Sequence, residues 1–192
     1  MIAAIDLETT GLDPRRDQIL QIGCVLFDPE RDADAPVGDL PNYSTLVRHE
    51  RYQGDAYALQ MNAAILLRLA DRKAEGVRTL TEALDGLRLF LSEHAPGGRP
   101  TPLGFNVCAF DVAFLKNVGC DVFHHRPLEL GSMFADERGP SNSWDLTASH
   151  LGREVTHDAL QDARDAVELY RHWRAVGGGY QPPRLMAGPG CP

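Results

Sequence analysis

The first eight residues constrain this chain more than any other stretch. Met1-Ile2-Ala3-Ala4-Ile5-Asp6-Leu7-Glu8 is an apolar run that admits two carboxylates only near its C-terminal end. Read as a β-strand, it has a side-chain period of two, so Asp6 and Glu8 share one face. Their side chains then lie about 6–7 Å apart along the strand. Two carboxylates on one face of a buried strand repel each other and lose hydration. A cation between them removes both penalties. Thr9-Thr10-Gly11 closes the strand, and Gly11 permits the sharp turn that follows. The plainer alternative is a strand end with two solvated acids, but an almost wholly apolar run makes a poor solvated face.

Composition bounds the rest. A chain of 192 residues suffices for one domain with a real core, and 43% hydrophobic residues mark it as globular rather than disordered. No apolar run reaches the roughly 18 residues of a membrane span. The strand begins at Met1 and leaves no charged leader, which predicts no signal peptide and, by default, a cytoplasmic location. The cysteines are Cys24, Cys108, Cys120 and Cys191, and none forms a C-x-x-C pair. Cys24 and Cys108 sit in apolar stretches, where cysteine acts as a small hydrophobe, so no disulfide framework is expected. Cys120 with His124 and His125 could in principle hold zinc; a surface loop is the preferred reading. The net charge of −8 argues against broad binding of long duplex DNA. It does not argue against a nucleic-acid enzyme, because bound divalent cations reverse the sign of a local site. Were nucleic acid the ligand, a short or single-stranded end would need few phosphate contacts.

In chain order, 18–27 reads as a second strand, antiparallel to the first because the connection is short. Residues 28–41 form a loop and 43–48 a third strand. Asn62 is placed to cap a helix that buries Ile65, Leu66 and Leu69. Leu84, Leu87, Phe90 and Leu91 recur at helical spacing through His94. A Pro- and Gly-rich break over 95–100 leads into a fourth strand at 101–105, parallel to its neighbour because it follows a helix. A helix is expected over 107–117, a fifth short strand over 128–130, and a short helix over 144–151 anchored by Trp144 and Leu151. The last helix is expected over 158–176, before a Gly- and Pro-rich tail over 177–192. The predicted architecture is an α/β domain over 1–176. It has a mixed five-stranded sheet, three antiparallel strands then parallel ones, with helices on both faces.

Further acids stand where such sheets build sites, at strand ends and helix starts. Asp111 lies between Phe110 and Val112 at the start of a helical stretch, where it is either an exposed-face acid or a site residue. His157-Asp158-Ala159-Leu160-Gln161-Asp162 opens the last helix. Asp158 there could merely favour the helix N-terminus, and His157 could be a surface residue. Taken together, Asp6-x-Glu8, Asp111 and His157-x4-Asp162 resemble the DEDDh 3′-to-5′ exonucleases of the ribonuclease H-like fold, whose relatives include proofreading exonucleases, oligoribonucleases and ribonuclease T. The three motifs occur in the family's order, and the match covers Met1 to about Trp173. One departure stands out. Many members carry His-Asn before the middle motif with Asn four residues from Asp, whereas Phe105-Asn106 stands here and Asn106 is five residues from Asp111. That longer spacing also occurs in the oligoribonuclease branch.

The resemblance implies a metal-dependent exonuclease that hydrolyses phosphodiester bonds from the 3′ end of single-stranded or short nucleic acid and releases nucleoside 5′-monophosphates. It implies two divalent cations, Mg²⁺ or Mn²⁺, held by Asp6, Glu8, Asp111 and Asp162. Asp6 would bridge the two, Glu8 and Asp162 would complete the first, and Asp111 would support the second. His157 would be the general base. Thr9, Thr10 and Leu12 would meet the terminal nucleotide, with Leu12 as a wedge between bases. Tyr57, Leu59, Met61 and Asn62 could line a base pocket, although Leu59 and Met61 read equally well as ordinary core, and Asn106 would contact the sugar or brace its loop. Nucleic acid is the expected partner, and a homodimer or an association with a polymerase is known among relatives. Two other readings compete: a non-catalytic polymerase-associated module and an endonuclease of the wider ribonuclease H-like group. Nothing in the residues separates DNA from RNA.

Overall fold

The opening run forms the strand its pattern requires, β1 (Ile2–Thr9). In the computed structural model, residues 1–135, 139 and 141–177 are described; of the expected C-terminal tail over 177–192, everything from 178 lies outside them. β1 pairs antiparallel with β2 (Ile19–Phe27), with Asp6 opposite Gly23 and Glu8 opposite Gln21. β2 pairs antiparallel with β3 (Asn42–Arg48). A strand not anticipated, β4 (Val77–Thr79), pairs parallel with the outer edge of β3. It is too short to show a period in the sequence. β5 (Thr101–Gly104) is parallel to β1, and β6 (Leu128–Glu129) is parallel to β5. The sheet therefore has six strands rather than five, in the order β4-β3-β2-β1-β5-β6.

Between the strands run α1 (Ala56–Met61), α2 (Ala63–Ala70), α3 (Leu80–His94), α4 (Asp111–Asn117), α5 (Leu130–Met133), α6 (Ser143–Leu146) and α7 (Ala159–Ala175). Thr79 and Glu82 form a capping box that starts α3. Asn62 stands at the expected N-cap position of α2, but its side chain makes no capping hydrogen bond. It joins α1 to α2, is buried, and its Nδ2 donates to the Thr9 carbonyl at 3.1 Å. The helix expected from Val107 begins only at Asp111. Asn106 takes φ +53°, and the Glu129 carboxylate accepts from the amides of Val107 and Cys108 at 3.1 and 3.0 Å, which holds this stretch in a turn. The helix expected over 144–151 is α6 followed by a wider, π-type turn over Thr147–Leu151.

The two faces of β1 serve two cores. Ala3, Ile5 and Leu7 pack with the apolar sides of α3 and α4, whereas Ile2 and Ala4 pack with α7. Asp6 and Glu8 continue the second row beyond its apolar part, as the period of two requires. β2 is buried along its whole length because helices cover both faces there. Cys120 is buried in the first core rather than exposed on a loop. Among the described residues, no helix is long and apolar enough to cross a membrane.

Candidate active site

The site exists because the start of α7 can lie directly on the sheet. Gly23, opposite Asp6, has no side chain, and a Cβ there would stand 2.1 Å from the carbonyl carbon of Ala159. Beside it, buried Gln21 grips the same helix start. Its Nε2 donates to Asp158 Oδ2 at 3.1 Å, and its Oε1 accepts from the Ala159 amide at 3.3 Å. Asp158 is the N-cap of α7, its Oδ1 accepting from the Gln161 amide at 3.1 Å. Asp162 therefore falls in the first turn of α7, beside Glu8.

His157, just before the cap, has φ +52°. A non-glycine residue in the left-handed region costs about 1–3 kcal/mol and persists only where its surroundings enforce it. Here it brings the imidazole back over β1, with Nδ1 3.8 Å from Glu8 Oε1. Asp162 Oδ1 accepts from the amide and hydroxyl of Thr156 at 3.3 and 3.1 Å. Ligand atoms of Glu8, His157 and Asp162 all lie within 4.8 Å of one another.

The other acids share this environment. Asp111, at the first position of α4, is 3% exposed, and its Oδ1 has no hydrogen-bond partner among the described residues. Burial pushes the Asp111 carboxyl well above the ordinary carboxylate range, with Glu129 and Glu8 adding to it, although the amides of Asp111 and Leu7 oppose the shift. Asp6 is raised in the same way, first by burial and then by Asp111, Glu8, Asp162 and Asp158. Glu8 is pushed up to about 7 by burial, with Asp162 and Asp158 adding and the Asn62 amide opposing. Asp162 is raised chiefly by burial. Each acid thus resists ionising beside the others. An oxygen-seeking divalent cation would reverse that electrostatic logic, so an orphaned buried carboxylate oxygen and mutually repelling acids fit a divalent-metal site. Asp165 also lines the cleft but is engaged elsewhere. It pairs with Arg153 at 2.6 Å and accepts from Gln161 Nε2 at 2.7 Å. Cys120, His124 and His125 do not form a three-ligand cluster among the described residues.

Residues 3–170 match the family model described as exonuclease. The chain belongs to the exonuclease family. Among curated relatives of this exonuclease-family chain, the oligoribonuclease of Dichelobacter nodosus is 28% identical over 175 residues, which is 88% of this chain and 91% of the relative. That of Halorhodospira halophila is 29% identical, over 88% and 90%. Among solved structures, Exonuclease I of Methylocaldum szegediense superposes with a TM-score of 0.67 at 21% identity; the match covers 92% of this chain but only 40% of that one. Pop2p of S. pombe, in its Mg²⁺- and Mn²⁺-bound form, superposes with a TM-score of 0.65 at 14% identity, over 94% and 86%. These likenesses show the ribonuclease H-like fold.

In this exonuclease-family chain Asp6, Glu8 and Asp162 face a cleft of about 480 Å³, whose lining does not include the buried Asp111. Thr9, Leu12, Tyr57, Met61 and Asn62 line it. Thr9 Oγ1, however, donates to the Gly11 carbonyl at 2.6 Å. Thr10, Leu59 and Asn106 stand outside the lining. Thr10 is fully buried, and its hydroxyl accepts from the Gln18 amide at 2.9 Å, so it ties the β1–β2 turn together. Asn106 is exposed at the turn before α4, where its left-handed backbone suits a bracing role. Sequence reasoning passed over Gln21, Phe105, Phe110 and Trp144. The last three line the cleft, and Trp144 is no core anchor, being 53% exposed. A signal for it was present: Leu146 is buried, and residues two apart in a helix point roughly opposite ways.

Proposed function

We propose that this protein is a DEDDh-type, divalent-cation-dependent 3′-to-5′ exonuclease that removes nucleoside 5′-monophosphates one at a time from the 3′ ends of single-stranded or short nucleic acid. The observation that carries this reading is the convergence of Glu8, His157 and Asp162 within 4.8 Å, from two segments far apart in the chain, next to the strained carboxylates of Asp6 and Asp111. Asp6, Glu8, Asp111 and Asp162 would hold two cations, Mg²⁺ or Mn²⁺. When bound, these supply positive charge at the reacting phosphodiester and acidify the attacking water.

The chain's own groups do the rest. His157 accepts the proton of the attacking water, a task suited to an imidazole near neutral pH. Its left-handed backbone and the Asp158 cap hold the ring over Glu8. Leu12, Tyr57 and Met61 receive the terminal bases through apolar and aromatic contact, which needs no sequence preference. Likeness to oligoribonucleases along most of the chain, together with a net charge of −8, favours short substrates over long duplexes. The test is incubation with 5′-labelled single-stranded DNA, single-stranded RNA and a dinucleotide, each with Mg²⁺ or Mn²⁺. A ladder of one-nucleotide steps is expected. Internal cuts, or no product on any of the three, would refute the reading.

A further inference from the structure

The apolar side chains left in solvent are not scattered over the molecule. Seven large hydrophobic residues are exposed among those described, and four of them, Leu12, Tyr57, Met61 and Trp144, line the cleft that holds Asp6, Glu8 and Asp162. Apolar surface concentrated in a concave site marks a ligand surface rather than an accident of packing. Leu12 follows β1, Tyr57 and Met61 belong to α1, and Trp144 comes from α6, so three separate parts of the chain supply apolar walls.

The position of Trp144 is built, not incidental. Asn142 caps α6, with its Oδ1 accepting from the Asp145 amide at 2.9 Å and its Nδ2 donating to Asp145 Oδ2 at 2.9 Å. Leu146 anchors the other side of the helix in the core shared with α7. With the helix held at both points, the indole is directed into the cleft, 53% exposed. Its ring centroid lies 5.3 Å from that of His157, at an interplanar angle of 59°. The tilted contact covers part of the imidazole and leaves indole surface facing the cleft beside it.

We propose that Trp144 is a substrate-binding residue, and that its indole stacks on the base of the nucleotide adjoining the scissile phosphodiester and so docks that phosphodiester beside His157. A flat aromatic face receives any base, which suits stepwise removal of unlike nucleotides. The assignment rests on the exonuclease reading above and adds a specificity element to it. Stacking acts on bound substrate before chemistry, so its loss falls on KM more than on kcat.

The test uses the whole chain with a single-stranded oligonucleotide and Mn²⁺, and compares wild type with Trp144→Leu and Trp144→Phe. Leucine keeps apolar bulk without a π face, whereas phenylalanine keeps a face. For Trp144→Leu, KM is expected to rise roughly 5- to 150-fold, the span of one lost base stack. Its kcat should change by no more than about threefold. Trp144→Phe should recover most of the loss. A wild-type protein with no exonuclease activity defeats the exonuclease reading itself. An active wild type with unchanged KM in Trp144→Leu overturns the stacking assignment alone. So does a fall in kcat at constant KM, which would make Trp144 a positioning residue acting through His157.

Discussion

Replacing Glu8 by glutamine keeps the shape of the side chain and removes its charge, so it isolates the electrostatic cost built into the site. Glu8 is 7% exposed, and its carboxyl is pushed from 4.5 to about 7 by burial and by Asp162 and Asp158. Carrying a carboxyl over that interval corresponds to about 3 kcal/mol between its protonated and ionised forms. The folded protein binds this proton more tightly than the unfolded chain does. The cost is therefore absent below about pH 4.5, grows as pH rises toward 7, and is fully present above it. In EDTA at pH 8, Glu8→Gln should be the more stable protein by up to about 3 kcal/mol, which is roughly 6–12 °C in Tm for a domain of this size. At pH 4.5 the two should melt alike. Mn²⁺ should raise the Tm of the wild type at pH 8 far more than that of Glu8→Gln, because a cation stabilises the ionised cluster and one ligand is missing in the variant. Thermal unfolding by circular dichroism, at both pH values and with or without Mn²⁺, measures all of this. A Glu8→Gln protein no more stable than wild type at pH 8 in EDTA would refute the argument that Glu8 is held at a cost by burial, first, and by the neighbouring acids.

Two further outcomes follow from the same geometry. His157→Ala should lose about 10²–10⁴-fold in turnover while its melting curve and its Mn²⁺ response stay close to wild type; an undiminished rate would remove His157 from the chemistry. Gly23→Ala places a Cβ 2.1 Å from the backbone of Ala159, so the start of α7 must shift. Denaturant unfolding should show a loss of about 1–3 kcal/mol, and turnover should fall because Asp162 and His157 move with that backbone; wild-type values in both assays would show that the helix start tolerates displacement.

How far the site was legible depends on whether each signal was local. Alternation along β1 put Asp6 and Glu8 on one face, and the structure leaves them there, because a period of two is a property of the strand itself. Ala163, Ala166, Val167 and Tyr170 recur at helical spacing, so α7 was legible for a like local reason, and all four are buried. The start of α4 was misplaced because its cause is distant. Glu129, on a neighbouring strand, holds the amides of Val107 and Cys108 out of the helix. β4 escaped notice because three residues have no period, and its partner β3 lies far away in sequence. Trp144 was taken for core because an indole is usually buried, and only the anchoring of Leu146 on the other side of α6 turns it outward.

By itself the sequence determined the chemistry available: which acids, which histidine, in which order, and which two acids share a strand face. These follow from residue identity and local backbone geometry. Tertiary structure alone decided that the acids meet. That outcome rests on a missing side chain at Gly23 and on the hydrogen bond Gln21 donates and the one it accepts, which let α7 rest on β2 and carry Asp162 and His157 to the end of β1. Neither residue announces that role in the sequence, because a glycine's emptiness matters only when another segment comes to fill it.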